Sequence, residues 1–155
     1  MVTPRPETEE LVDWVLQEYP DKSEKIKIWL SGCSFFHVQD IDTDRLEEGA
    51  DRVGVYKQAQ RDVTEFVDGS KVVNEYYYFL LRQDAQLEHD RKWSNNLMAV
   101  LEDWIEEQDR IGNLPDVEGI EGVFIANGYY LIGIENDDSV YQISIGITYH
   151  KKGKN

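Results

Sequence analysis

DRKWSNNLMAVLEDWIEEQDRIGNLP, from Asp90 to Pro115, is the stretch whose period decides the fold. Its apolar residues Trp93, Leu97, Val100, Leu101, Trp104 and Ile105 follow one another by one, three or four places. That spacing puts them on one stripe of a helix, with Glu102, Asp103, Glu106 and Glu107 on the wet side. Arg110 in the last turn, Gly112 just beyond it and Leu114-Pro115 after that supply a stop. A helix with two tryptophans on its dry side needs a broad cover, and the remainder of the chain reads as a β-sheet.

Working outward, Val53 to Val67 and Val72 to Arg82 read as extended segments joined by Asp68-Gly69, a tight-turn signal, and so as a hairpin. The Tyr76-Tyr77-Tyr78-Phe79 run puts large side chains on both faces, which suits a central strand or one that meets a partner. After the helix, Gly122 to Ala126, Tyr129 to Glu135 and Val140 to His150 read as three strands, with turns at Asn127-Gly128 and Asn136 to Ser139. The last is the cleanest. Tyr141, Ile143, Ile145, Ile147 and Tyr149 face one way, and Gln142, Ser144, Gly146, Thr148 and His150 the other. One face on helices and a half-bare polar face is the expectation.

The first third reads less regularly. Thr8 caps a helix to about Tyr19, and Pro20-Asp21 ends it. Lys25 to Trp29 alternates and reads as a strand that Ser31-Gly32 breaks, with Ser34 to Val38 as a second short strand. Asp40 to Asp51 reads as an acidic connector, and Lys151 to Asn155 as a loose basic tail. The resulting fold class is α+β: a mixed or antiparallel sheet with two helices packed on one face. The 155 residues fit a single domain, 1–155, with a weakly patterned part at 1–61 and a core at 62–150. A chain of this length buries roughly 70% of its unfolded surface and needs no staples. Its single cysteine, Cys33, allows no internal disulfide. Nothing reads as a signal peptide or a membrane span.

Charge narrows the function classes. Sixteen basic residues against 31 acidic ones leave a net −15, a surface that repels phosphate backbones. Sequence-specific nucleic-acid binding through a basic patch is not expected. Asp40, Asp42 and Asp44, with Asp51 at the twelfth position, have the alternation of a calcium loop. Arg45 stands where that loop needs Gly, however, and Asp51 replaces the bidentate Glu. An ordinary acidic loop is the better reading. Cys33 and His37 would align only on a helix, and Ser31-Gly32-Cys33-Ser34 lacks the glycine frame of a nucleophile elbow. With carboxylates this common, no pair of them stands out as acid and base. No catalytic constellation and no cofactor is expected.

In order and spacing, several segments resemble the minor capsid or tail-completion proteins of long-tailed phages and prophages of Gram-positive bacteria. These are similar in role to siphophage tail terminators. The carrying residues are Asp68-Gly69 before an aromatic strand, Asn95-Asn96 opening the helix, and Asp103 to Gln108 running into Gly112-Asn113-Leu114-Pro115. Gly128-Tyr129-Tyr130-Leu131 and Tyr141-Gln142-Ile143 follow. The resemblance covers residues 62–150. It implies a non-enzymatic virion protein of the tail and neck, made in the host cytoplasm. Its partners would be copies of itself in a ring, often a hexamer, with the tail tube protein and a head-completion protein. A ring that passes DNA is expected to line its lumen with negative or neutral groups. The hairpin turn, with Phe66, Asp68, Gly69 and Lys71, is the expected contact. The alternatives are another head–tail connector and a soluble acidic adaptor or inhibitor of the DNA-mimic type that binds a basic partner.

Overall fold

A computed structural model describes residues 22–33, 41–43, 52–84, 88–135 and 138–153. Among the described residues two helices, α1 (Lys22–Leu30) and α2 (Glu88–Ile111), cover a five-stranded sheet. The strands are β1 (Ile41–Thr43), β2 (Arg52–Glu65), β3 (Lys71–Asp84), β4 (Ile120–Glu135) and β5 (Asp138–Lys151). Their spatial order is β1-β2-β3-β5-β4. All neighbours run antiparallel except β1, which joins β2 in parallel, Ile41 opposite Val53. The sheet is therefore mixed, and the fold is α+β.

The period-two pattern sets the register. Val53 and Val55 of β2 align with Leu81 and Phe79 of β3, and Tyr77 and Val73 align with Ile145 and Tyr149 of β5. All of these are buried, as are Ile143 and Ile147, and together they form the inner face. From the helix layer, Met98, Leu101 and Ile105 of α2 and Ile26, Trp29 and Leu30 of α1 complete one core. The first helix packs over β1 and β2, and the second over β3 and β4. They meet each other through Trp29 and Trp104, whose ring centroids lie 5.0 Å apart. The indole N–H of Trp29 donates to the Asn113 carbonyl at 2.7 Å, which ties α1 to the end of α2. That end closes as its sequence suggests: Asn113 N–H donates to the Gln108 carbonyl and Gly112 N–H to that of Asp109.

Several expectations are corrected. Lys25 to Trp29 is helical, not extended. Ile26, Trp29, Leu30 and Cys33 are buried at helical spacing, whereas Ile28 is 56% exposed. The Lys-Ile-Lys-Ile alternation is a by-product of placing lysines beside the buried stripe. On α2, Val100 points outward at 41% exposure, and Met98 takes its place in the core. Gly122 to Ala126 and Tyr129 to Glu135 belong to one strand. The Asn127-Gly128 pair is an irregularity in β4 where the register shifts against a continuous β5, rather than a hairpin turn. Within the acidic connector, 41–43 is a strand. The basic tail starts inside the sheet, with Lys151 opposite Lys71. The helix at 8–19, the strand at 34–38, His37, and Asp40, Asp44 and Asp51 of the calcium-loop reading lie outside the described residues, as do the side chains of Trp93 and Leu97.

The second face of the sheet is half-buried and stitched by cross-strand bonds. The Thr148 hydroxyl donates to Asn74 at 2.7 Å, and the Gln58 amide to Ser144 at 2.6 Å. Gly146 leaves room for the ring of Phe124, which meets Tyr76 edge-on at 5.9 Å. Two carboxylates of α2 serve the irregular strand β4. Glu102 accepts from the Tyr129 N–H at 2.6 Å and Asp109 from the Val123 N–H at 2.9 Å. Register shifts take backbone donors out of a ladder, and these side chains satisfy two of them.

Candidate functional site

One end of the sheet brings charge and exposed apolar surface together. It is built from the β2–β3 turn, the last residues of β5, the start of α1 and the segment leading into β4.

The turn comes first. Phe66 N–H donates to the Ser70 carbonyl and Gly69 N–H to that of Phe66, closing a tight loop. Gly69 has a φ of 86°, a conformation that L side chains rarely adopt. The Asp68 carboxylate accepts from both the hydroxyl and the N–H of Ser70, and these bonds hold its pKa below the ordinary range. Asp68 thus shapes the turn, while Val63, Phe66 and Val67 stand in solvent at 46%, 48% and 109% exposure. Gly153 packs against the backbone of residues 68–70, so the chain returns beside the turn. Lys71 lies across from Lys151, and both flank a small hollow of about 330 Å³ with Lys152.

Beside the turn lies the one buried carboxylate of the inner row. Glu75 takes a place between Val73 and Tyr77, and its side chain is only 4% exposed. Lys22 reaches its carboxylate at 3.5 Å, and Lys57 and Arg61 each at 3.6 Å. The hydroxyl of Tyr77 donates to it at 3.3 Å, and that of Tyr149 donates from the facing strand. Lys22 also sits 4.9 Å from the centre of the Tyr149 ring. Burial pushes the Glu75 pKa up, but the Tyr149 hydroxyl, Lys22, Lys57 and the Tyr77 hydroxyl outweigh it and hold the group below its ordinary value. Burial, then the bond to Glu75, pushes the Tyr149 phenol up. Glu75 is accordingly a fixed counter-ion at neutral pH rather than a proton donor.

Above this carboxylate opens a hollow of about 1020 Å³. Lys22, Lys25, Arg61, Lys151 and Lys152 line it, against the carboxylates of Glu75, Asp116 and Glu118. In a chain of net charge −15 this is a locally positive concavity. Lys25 pairs with Asp116 at 3.4 Å, whereas Lys151 and Lys152 are exposed and make no ion pair among the described residues. The excess of cations makes its local potential favourable to negative groups.

The four residues expected at a contact are thereby sorted. Phe66 and Lys71 lie at the surface, and Asp68 and Gly69 make the turn that presents Phe66. Of the calcium-loop residues only Asp42 is described, and it lies within β1. Among the described residues no group of acidic, histidine or cysteine side chains is placed to hold a metal ion, and Cys33 is buried. No sequence motif marks the Glu75 cluster. Its signal was nonetheless present: one acid interrupts the apolar row Val73, Tyr77, Phe79, Leu81 at the buried period. No helix among the described residues is long and apolar enough to cross a membrane. No protein-family model matches the chain, and no curated protein sequence matches it.

Proposed function

We propose that this protein is a structural subunit of the phage neck and tail. In this reading it resembles a tail terminator that forms a ring, often a hexamer, at the head-proximal end of the tail tube. There it ends tube growth and joins the head. The observation that carries the reading is the turn at residues 66–70, which holds Phe66 and Val67 in solvent beside Lys71 and the small hollow that Lys71, Lys151 and Lys152 flank. A rigid turn that exposes an aromatic ring and a valine is a surface suited to another protein. The excess carboxylates fit a lumen that lets DNA pass without holding it.

The test is the particle mass of Phe66→Ser combined with Lys71→Glu. Light scattering with and without tail tubes is expected to show a ring for the wild-type chain and an 18.1 kDa monomer for the variant. The variant should retain an unchanged melting curve. An unchanged oligomer in the variant removes the turn from the contact. A wild-type chain that stays monomeric beside tubes, and instead forms a one-to-one complex with a basic protein, replaces the ring by the acidic adaptor.

A further inference from the structure

We propose that the hollow above Glu75 is a socket for the acidic outer ridge of α2 on a second copy of this chain. The inference rests on the ring reading and names the groups that make its contact.

Three observations carry it. First, the hollow is overcharged. Glu75 is shared by Lys22, Lys57 and Arg61, so one carboxylate faces three cations. Lys151 and Lys152 line the hollow as well and make no ion pair among the described residues, so Lys22, Lys25, Arg61, Lys151 and Lys152 outnumber the lining carboxylates of Glu75, Asp116 and Glu118. Second, the chain carries its own complement. On the outward side of α2, Asp103, Glu106 and Glu107 are exposed. Arg110 clamps Glu107 in a two-pronged bond, which leaves Asp103 and Glu106 as the open charges of a convex ridge. Helical spacing puts the two on the same side of the rod. Third, the two surfaces are different parts of the molecule. The socket is made by the start of α1, β2 and β3 near their turn, the end of β5 and the segment before β4, and the ridge by the exposed side of α2. A contact between unlike surfaces leaves one of each free on every dimer, so it propagates and closes into a ring where the rotation allows.

Energetics divide the labour. Charge complementarity at a wet rim chiefly sets partner, register and association rate. The exposed apolar residues Val63, Phe66 and Val67 at the β2–β3 turn supply burial. Rim charges are screened beyond about 8 Å at physiological ionic strength, so the assembly is salt-sensitive.

The experiment is a charge swap in trans. One variant carries Lys151→Glu and Lys152→Glu; the other carries Asp103→Lys and Glu106→Lys. All four side chains are exposed, and melting curves check that each variant folds. Each variant alone is expected to lose the assembly, because like charges then meet at every contact. An equimolar mixture is expected to regain the wild-type mass, since each reversed surface finds its opposite on the other variant. If the wild-type chain assembles and either folded variant assembles equally well alone, the socket is overturned while the ring reading stands. A mixture that stays monomeric, with both variants melting like wild type, overturns it as well. A wild-type chain that is monomeric with and without tail tubes overturns both.

Discussion

Two halves of the same inner face are held by different forces. Toward the far end, Tyr77, Phe79 and Leu81 of β3 face Ile145, Ile143 and Tyr141 of β5 in a dry layer under the helices. Two residues toward the turn, the same row holds Glu75, ringed by Lys22, Lys57, Arg61 and the Tyr149 hydroxyl. The dry half is stabilised by area removed from water, which depends little on salt or pH. The charged half gains little net stability, because desolvation offsets attraction, but it fixes which side chains surround the hollow. Folding thus rests on one half, and the proposed contact on the other.

Predictions follow from that contrast in order of size. Ile145→Ala, at a fully buried position, is expected to cost about 4 kcal/mol in urea unfolding and to cost the same at low and high salt. Glu75→Gln leaves three cations facing a neutral amide. Its expected cost is about 2 kcal/mol, below the range for a fully buried pair because the cations reach solvent. That cost should shrink as salt rises; a salt-independent loss as large as that of Ile145→Ala would erase the distinction between the halves.

The Glu75 variant also has a pH signature. The folded-state pKa of this carboxyl lies below its ordinary value of 4.5, so its contribution is complete above pH 4.5 and is lost as pH falls through the folded value. The stability gap between wild type and Glu75→Gln is therefore expected to be constant from pH 7 down to about 5 and to narrow in more acid solution. A gap that widens on acidification would reverse the sign assigned here. Gly146→Ala follows in size. Its new methyl would fall 2.2 Å from the Phe124 ring, which has to move, at an expected cost of about 1–3 kcal/mol. The smallest effect on folding is expected at Val67→Ser, within about 0.5 kcal/mol because the residue is wholly exposed. A large change in melting there would mean that the turn is part of the core.

The same contrast explains what could be read from residues alone. Long, strongly periodic segments under one dry layer were legible: α2 with Leu101, Trp104 and Ile105 on its inner side, the alternation of β5, and the hairpin at Asp68-Gly69. Short elements whose pattern fits two periods were not. Ile26 and Ile28 alternate with lysines, and only burial of Trp29 and Leu30 on the Ile26 side selects the helix. Asn127-Gly128 has turn chemistry, yet an unbroken β5 beside it holds β4 together through the irregularity. The parallel pairing of β1 spans only three positions, Ile41 to Thr43, too few for period-two patterning to leave a trace of it. The candidate site was half legible. Turn chemistry pointed to Phe66 and Lys71, whereas the hollow assembles Lys22, Arg61, Glu75 and Lys151 from four elements with no shared spacing.

The most direct measurement of the central claim, that this chain works through contacts with copies of itself, is the particle mass of the wild-type protein at low and high salt, with and without tail tubes. The account predicts a closed multiple of 18.1 kDa at low salt that falls toward the single chain as salt rises. A mass of 18.1 kDa under every one of these conditions would contradict it.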